Sequence, residues 1–296
     1  MKKDATLGRL TLLGIEAEWL SPQLWQTIAG MENEKELIER KILWPLLHPQ
    51  LAQKHGVFPP RAILLFGPPG TGKTSFARGI SGRLGWAFVE VSPSSLLTDG
   101  LSRQPLHLKR LFEALARVSQ SVVFFDEFET LALGPERASP AERLASTEML
   151  RQLPRLREGE GRLLVCATNN IHHLTPALLR PGRFDFILPI GPMDREARRA
   201  VFQHYLQRLN RGEIDMNTIL DHTALYTPAD IQAVCSQVAQ TAFEREITEK
   251  REAQVATRDL LAAIEGHKPT LTQEDMGQFK KDIQQYCRAD YCPSLL

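Results

Sequence analysis

The 296-residue sequence contains no run of apolar residues long enough to cross a membrane. A transmembrane helix needs roughly 18 consecutive apolar residues, and no stretch of this chain approaches that length. Residues 2–3 are lysines, but Asp4 follows at once and the apolar stretch at 10–15 is short and interrupted. We therefore expect neither a secretory signal nor a membrane span, and interpret the first residues as a docking segment.

The sequence also lacks a large excess of charge of either sign. It has 36 basic and 35 acidic residues, which give a formal net charge of +1. Chains that bind nucleic acid or anionic membranes through their overall charge are strongly basic, so this balance excludes such a field for the chain as a whole. Nucleic acid is therefore not an expected partner.

Cysteine is scarce and widely spaced. The four cysteines form no C-x-x-C pair and no zinc-ligand spacing, so a metal site built on them is not predicted. Their pattern favours reduced thiols and a cytoplasmic location. These residues are Cys166, Cys235, Cys287 and Cys292.

The sequence does contain a phosphate-loop pattern, Gly-Pro-Pro-Gly-Thr-Gly-Lys-Thr, at residues 67–74. An unbroken apolar run at 62–66 precedes it and predicts a buried strand, and apolar residues at helical spacing follow it. Such a loop turns backbone N–H groups and a helix N-terminus toward phosphate oxygens. Lys73 would then reach the β- and γ-phosphates of ATP, and Thr74 would bind Mg²⁺. The predicted nucleotide contacts of this loop are Pro68, Pro69, Gly70, Thr71, Gly72, Lys73, Thr74 and Ser75.

Strand and helix patterns alternate along the middle of the chain and predict an α/β fold with a mainly parallel sheet covered on both faces. The predicted strands are 62–66, 87–91, 122–125, 163–167 and 186–190. Beyond residue 192 only helical patterns follow, with Asp194, Thr227 and Thr272 as predicted N-caps. We expect an N-terminal arm or linker at 1–26, a large αβα nucleotide-binding domain at 27–191 and a small helical lid domain at 192–296.

Two adjacent carboxylates, Asp126 and Glu127, follow the strand predicted at 122–125. This is the edge of a parallel sheet where a neighbouring phosphate loop would present its nucleotide. Asp126 suits the coordination shell of Mg²⁺, and Glu127 suits the orientation or deprotonation of an attacking water. The alternative interpretation is that adjacent acids at a strand end only cap a turn or a helix.

At residues 167–170 and 176–185 the sequence resembles the AAA ATPases. The katanin and spastin group and the AAA module of membrane-anchored AAA proteases are similar, and the resemblance runs from about residue 25 to 288. It implies an AAA+ module. It also implies that Asn169 positions the attacking water, and that Arg180 and Arg183 are arginine fingers acting on the nucleotide of a neighbouring subunit. The adenine contacts implied by the resemblance are Ile28, Gly30 and Ala229. The alternative for the two arginines is that they are solvated charges flanking a turn.

Two segments depart from the family pattern. At 225–230, Pro228 stands near a position where the family carries a glycine that lets the backbone approach the base, and proline has no N–H. At 99–102 the chain reads Asp-Gly-Leu-Ser, where relatives carry a pore-loop aromatic that grips a translocating polypeptide. Leu101 is the only candidate grip in this segment.

Three functions follow from these patterns. The first is an Mg²⁺-dependent, ATP-hydrolysing ring, expected to be a homohexamer, that remodels a protein partner. The second is an ATP-gated assembly switch that docks a partner without threading it, which the missing pore aromatic favours. The third is a nucleic-acid motor or loader, for which only Arg103 lies near the pore segment.

Overall fold

The computed structural model describes residues 15, 17–96, 100, 103–157 and 161–287. The predicted pore-loop residues 99, 101 and 102 therefore lie outside the described residues, as do residues 1–14 and Cys292. Within the described ranges, no helix is both long and apolar enough to span a membrane. Cys166 and Cys235 are free thiols buried in the core.

A six-stranded sheet forms the centre of the fold, with the strand order β1-β3-β4-β5-β2-β6. Every neighbouring pair is parallel except β1 with β3. The predicted α/β class is thereby confirmed. The strands are β1 Ala17–Trp19, β2 Ala62–Phe66, β3 Ala87–Val91, β4 Ser121–Phe125, β5 Arg162–Thr168 and β6 Phe186–Pro189.

Helices cover both faces of the sheet and make up the region after β6. Before β2 lie α1 Leu24–Thr27, α2 Glu32–Ile38, a π-helical turn at Glu39–Leu43, α3 Trp44–Leu47 and α4 Pro49–Lys54. Between the strands lie α5 Lys73–Leu84, α6 Gln104–Leu115 and α7 Pro140–Arg157. After β6 lie α8 Arg195–Leu206, α9 Met216–Asp221, α10 Pro228–Glu249, α11 Thr257–Glu265 and α12 Gln273–Tyr286.

Each face of the sheet has its own hydrophobic core, because successive side chains of a strand point to opposite faces. On one face, Ile63 and Leu65 of β2 join Phe76 of α5 and the apolar sides of α8, α10 and α11. On the other face, Leu64 and Phe66 join α6, α7 and α12. The helical region after β6 thus contributes to both cores. The proposed domain boundaries at 26 and 191 remain a prediction.

The structure differs from the sequence-based expectation in three places. Ala17–Trp19 pairs with β3 as an antiparallel edge strand, which three residues without a repeating pattern did not predict. Helix α9 is also additional, and its six residues are capped by the Asp215 side chain. Helix α7 continues past the predicted end at Leu153 to Arg157, although Pro154 lies inside it. Leu156 is buried in the core, so packing holds this last turn.

The cap of α10 is the centre of a buried polar network. Thr227 and Asp230 form a capping box, as the sequence predicted for Thr227. Asp230 also accepts hydrogen bonds from His267 Nε2 at 2.9 Å and from Thr270 Oγ1 at 2.7 Å. Burial alone would raise the pKa of Asp230, but the hydrogen bonds from His267, Thr227 and Thr270 outweigh it and lower the pKa to about 2.

Replacement of Asp230 should make the free energy of unfolding less dependent on pH in the acid range. Because the pKa of Asp230 is about 2 in the folded chain against 3.8 ordinarily, its stabilisation is complete above about pH 4 and is lost as the pH falls toward 2. We expect Asp230→Ala to lower the free energy of unfolding by about 2 kcal/mol at pH 7, and by progressively less below pH 4. Urea denaturation of both proteins across pH 7 to 3 measures this.

The matched control is Asp275→Ala, which removes the equivalent capping-box carboxylate of α12 without a histidine partner. We expect it to cost only about 1 kcal/mol, the usual value of a cap. An equal loss in the two variants, or a loss for Asp230→Ala that stays constant with pH, would contradict the role of the network.

Candidate functional site

The predicted phosphate loop lies between β2 and α5. Its lysine, Lys73, is the first residue of α5, and only 6% of its surface is exposed. The ammonium Nζ donates hydrogen bonds to the carbonyls of Gly67 and Pro68, both at 2.8 Å. Burial lowers the pKa of Lys73 to about 8, against the opposing effect of Asp126. The ammonium therefore remains protonated near neutral pH, and an anion can replace its carbonyl partners.

Two glycines of this loop are required by its geometry. Gly72 precedes α5 with φ of 96°, a left-handed conformation that residues with a Cβ rarely adopt. At Gly67, a Cβ would lie 2.1 Å from the carbonyl oxygen of Ile190. The loop thus curves tightly beside the end of β6, and its backbone remains close to any ligand that it encloses.

Thr74 and the first acidic residue after β4 are in direct contact. The Thr74 hydroxyl donates to Asp126 Oδ2 at 3.1 Å, and Asp126 Oδ1 accepts from the N–H of Glu127 at 2.9 Å. Glu127 is exposed and has φ of 45°, which is uncommon for a residue other than glycine. Asp126 thus lies against Thr74, whereas the Glu127 side chain is exposed.

Asn169, which follows β5, is held by a residue that the sequence did not single out. Its N–H donates to Glu129 Oε1 at 3.3 Å. Glu129 lies in the short 3₁₀ turn Phe128–Thr130, directly after Glu127. The only sequence signal for Glu129 was its position two residues after Glu127. This contact joins the ends of β4 and β5 beside the loop.

These residues line one open cleft of about 450 Å³, which we call the phosphate cleft. It brings together most of the predicted phosphate, magnesium and catalytic positions. Its walls are Pro69, Gly70, Gly72, Lys73, Thr74, Ser75, Asp126, Glu127, Asn169, Tyr205, Pro228, Ala229 and Gln232. Tyr205 and Gln232, from α8 and α10, were not predicted.

A second cavity of about 340 Å³ adjoins the first, and we call it the base-side cavity. Its walls are mainly apolar: Leu24, Thr27, Ile28, Ala29, Met31, Thr71, Gly72, Ser75, Phe76, Arg78, Val201, His204, Tyr205 and Pro228. Ile28, a predicted adenine contact, is one of these wall residues, and its role stays a prediction. Gly30 instead packs on α8, where a Cβ would lie 2.3 Å from Ala197. An apolar cavity beside a phosphate cleft suits a purine ring.

Pro228 is compatible with this site. Pro228 is the first residue of α10, and Thr227 is the N-cap of that helix. The N–H of a residue at the first helical position has no hydrogen-bond partner within the helix, so a proline there loses no bond. Thr227 itself approaches the loop closely, because a Cβ on Gly70 would lie 3.1 Å from Thr227 Cγ2. The start of α10 therefore forms a wall of the cleft without the glycine that the resemblance led us to expect.

Arg180 and Arg183 lie outside the phosphate cleft. Arg180 is exposed, whereas Arg183 is half-buried and donates to the carbonyl of Leu150 in α7 at 2.6 Å. Their turn is fixed by Arg157, which donates to the carbonyl of Arg183 at 2.9 Å and pairs with Asp185. Neither arginine reaches the cleft of its own chain.

Two residues, Asp185 and Arg157, fix the arginine-bearing turn to the sheet, and the sequence pointed to only one of them. Asp185 belongs to the segment that carries the resemblance, and its Oδ2 accepts from the N–H groups of Arg61 at 2.7 Å and Ala62 at 2.9 Å. It therefore ties the arginine-bearing turn to the start of β2. Arg157 had no sequence signal, because its contact with Asp185 depends on the last turn of α7.

The donor set fits a magnesium nucleotide. A protonated, buried ammonium and a curved glycine loop suit phosphate oxygens, and the Thr74 hydroxyl with the Asp126 carboxylate suits Mg²⁺. Among the described residues, no group of three or more His, Cys, Asp or Glu could hold a metal ion. One hydroxyl and one carboxylate are sufficient for Mg²⁺, because this ion keeps several waters and binds substrate phosphates.

Comparisons with known proteins agree with this site. Residues 63–192 match the family model described as ATPase family associated with various cellular activities (AAA). The FIGL-1 AAA domain superposes with a TM-score of 0.80 at 25% identity, covering 97% of this chain and 96% of that one. The chain therefore contains an AAA ATPase domain.

Two relatives show which AAA proteins this chain is similar to. A cell division cycle protein 48 homolog of Archaeoglobus fulgidus is 32% identical over 280 residues, covering 89% of this chain and 38% of its own length. A proteasome-activating nucleotidase of Methanococcus vannielii is 30% identical over 256 residues, covering 85% and 62%. The chain thus spans between about a third and two thirds of these relatives, and it is similar in fold to the FIGL-1 domain.

Lys73→Ala should abolish tight nucleotide binding. The substitution removes the buried ammonium that faces the phosphates, and it leaves the carbonyls of Gly67 and Pro68 without that donor. Titration calorimetry with ADP measures the change. Lys109→Ala, which removes an exposed lysine of α6, should bind ADP like the parent protein. Parental affinity in Lys73→Ala would contradict the assignment of the loop.

Proposed function

We propose that this protein hydrolyses ATP with Mg²⁺ in a ring assembled by nucleotide, expected to be a homohexamer, and uses the energy to remodel a protein partner. The observation that carries the ATPase assignment is the phosphate cleft, which collects the ammonium of Lys73, the Thr74–Asp126 pair, Glu127 and Asn169. These five residues supply phosphate binding, metal binding and water positioning in a single space.

Binding of the triphosphate falls to the loop and its lysine. Lys73 would exchange its bonds with the Gly67 and Pro68 carbonyls for bonds with phosphate oxygens, which carry full negative charge. Thr74 and Asp126 would hold Mg²⁺. When bound there, Mg²⁺ neutralises phosphate charge that develops during transfer. The hydrogen bond from the Thr74 hydroxyl to the Asp126 carboxylate, at 3.1 Å, keeps both ligands together before the ion arrives.

Activation of the attacking water falls to Glu127 and Asn169. The Glu127 carboxylate is exposed on the cleft wall and makes no side-chain hydrogen bond within the described residues, so its oxygens are available to accept from a water. Asn169 lines the same cleft, and its backbone N–H is bonded to Glu129. An acceptor and an amide on the same cleft can orient one water toward the terminal phosphate.

The positions of Arg180 and Arg183, outside the phosphate cleft of their own chain, support assembly into a ring. Phosphoryl transfer spreads negative charge over the γ-phosphate oxygens, and a guanidinium supplied from outside stabilises it. Arg180 is exposed and lies outside the cleft of its own chain, whereas its turn is anchored by Arg157 and Asp185. We infer that Arg180 and Arg183 act on the nucleotide of a neighbouring subunit, so that each complete active site needs two copies of the chain.

Protein remodelling is supported by the relatives. Matched proteins include one described as a proteasome-activating nucleotidase and one described as a cell division cycle protein 48 homolog. The chain covers only part of their length, so the proposal for this chain is the class of work and not a particular substrate. A cytoplasmic location is part of this proposal and is supported by the sparse, widely spaced cysteines.

The alternative is an assembly switch in which ATP controls subunit association and partner docking. The absence of an aromatic residue at 99–102 favours it, because a leucine buries less area and cannot stack on an extended chain. Both proposals require the same hydrolysis machinery. They differ in whether the partner is pulled through the ring.

Glu127→Gln should separate binding from hydrolysis. The amide keeps the shape of the side chain but cannot act as a base, so ATP should still bind while turnover falls by on the order of 10²-fold or more. Phosphate release and nucleotide binding are measured on the same preparation. Glu113→Gln, an exposed glutamate of α6, is the control and should keep parental turnover. Parental turnover in Glu127→Gln would remove this residue from the mechanism.

Arg180→Ala should act across the subunit interface. We expect nearly unchanged ATP affinity per subunit and a turnover lowered by roughly 10³-fold. Arg180 is the sharper test, since Arg183→Ala also breaks the bond to Leu150. Arg155→Ala, which removes an exposed arginine of α7, should keep parental turnover.

Mixed assemblies test the direction of this effect. Subunits with Arg180→Ala and subunits with Lys73→Ala should regain some activity together, because at some interfaces an intact loop meets an intact arginine. Verified mixed rings that remain inactive would count against arginines acting between subunits.

A further inference from the structure

The phosphate cleft and the base-side cavity meet at four shared residues. Gly72 and Ser75 stand on the loop side, and Tyr205 and Pro228 stand on the opposite side. In a nucleoside triphosphate the sugar connects the base to the phosphates. If the phosphates lie on the loop and the base lies in the apolar cavity, the sugar lies between these four residues.

Polar side chains are sparse at this junction. Glycine offers none and proline offers none, so the two side-chain hydroxyls among the shared residues are those of Ser75 and Tyr205. A ribose brings two hydroxyl groups, each of which can donate and accept a hydrogen bond. Hydroxyls that lose water on binding need replacement partners, because an unpaired polar group is costly.

Tyr205 is prepared for such a contact by Gln232. The Tyr205 hydroxyl donates to Gln232 Oε1 at 3.2 Å, and Gln232 lines the phosphate cleft. This bond uses the single proton of the phenol and leaves its oxygen as an acceptor, while the Gln232 amide NH₂ remains a donor. The pair therefore presents one acceptor and one donor side by side, which matches a diol.

The position of the pair is set by two helices. Tyr205 belongs to the last turn of α8 and is half-buried, and Gln232 belongs to the first turns of α10. Helix α10 is held in place by its buried cap at Asp230, so Gln232 is carried on a fixed element. A preorganised pair loses little freedom when a ligand arrives.

We propose that Tyr205 and Gln232 bind the ribose hydroxyls, and that this pair makes the site prefer ribonucleotides to deoxyribonucleotides. The inference rests on the proposed function, since it assumes that the loop binds the phosphates of the same molecule. It assigns to Tyr205 a role in substrate specificity and none in the chemical step.

Equilibrium binding of three diphosphates to the full chain tests this: ADP, 2′-deoxy-ADP and 3′-deoxy-ADP. We expect ADP to bind roughly 2- to 10-fold more tightly than at least one deoxy form, the value of a neutral hydrogen bond. The two deoxy forms report which hydroxyl is recognised. A preference against either of them supports the proposal.

Tyr205→Phe removes the hydroxyl and keeps the ring. It should weaken ADP binding by the same factor, leave the affinity for the discriminated deoxy form unchanged, and so abolish the preference. Gln232→Ala should reduce the preference in the same direction. The matched control is Tyr286→Phe, which removes a tyrosine hydroxyl from α12 and should keep the parental preference.

Three outcomes would overturn the inference. Equal binding of all three diphosphates by the parent chain would do so while leaving the phosphate-loop assignment intact. A Tyr205→Phe variant that keeps its preference would place the recognition elsewhere, at Ser75 or on the backbone. Failure of all three diphosphates to bind would overturn the proposed function and the inference together.

Discussion

The bond between the Lys73 ammonium and the carbonyls of its own loop is the interaction on which the site depends. A buried ammonium is unfavourable unless it is hydrogen-bonded, and here it draws the Gly67 and Pro68 carbonyls inward. The same bonds hold the curve of the loop. Phosphate binding then replaces one set of bonds with a stronger set and orders little new chain, which favours affinity.

The loop is also supported from the helical region. Thr227 abuts Gly70, and the cap that Thr227 forms with Asp230 is tied to His267. The cleft is therefore bounded on one side by the sheet and on the other by a helix end held through buried hydrogen bonds. A shift of α10 would move Thr227, Pro228 and Gln232 together, so closure of this wall is a movement of a whole helix and not of separate side chains.

The arginine-bearing turn depends on a third support. Arg157 and Asp185 connect it to α7 and to the first residues of β2. Strand β2 leads directly into the phosphate loop. The arginine-bearing turn and the phosphate loop are therefore held at the two ends of the same strand. In the proposed ring, the position of Arg180 at a neighbouring subunit would therefore follow the position of the phosphate loop in its own subunit.

The sheet and the site differ in how far the sequence could predict them. Strand β2 was predicted at its observed bounds, because a parallel strand buried on both faces is a continuous apolar run. Strand β3 was also predicted at its bounds, from an apolar run that only Glu90 interrupts. Phosphate-cleft residues such as Lys73 and Asp126 could be named because loop and strand ends meet at one edge of a parallel sheet.

Other features had no local signal. The edge strand at Ala17–Trp19 exists through pairing with β3, and Glu129 acquires its role through Asn169, 40 residues further on. Gly30 was expected at the base, but its left-handed backbone and its contact with Ala197 show a packing role that only the approach of α8 reveals. Tyr205 and Gln232 likewise meet only in the folded chain. Long-range pairing, and not residue type, decided these cases.

The packing of α12 against the loop has a consequence for synthesis of the chain. A Cβ on Gly67 would lie 3.3 Å from Phe279 Cε2, and the centroid of the Phe279 ring lies 5.9 Å from that of Phe66. Helix α12 therefore forms the wall behind the loop. At roughly 5 to 20 residues per second, a ribosome adds Phe279 about 10 to 40 seconds after Gly67. During that interval the growing chain exposes an apolar surface beside the loop where Phe279 will pack. The wall of the nucleotide site behind the loop is therefore completed well after the loop itself has been synthesised.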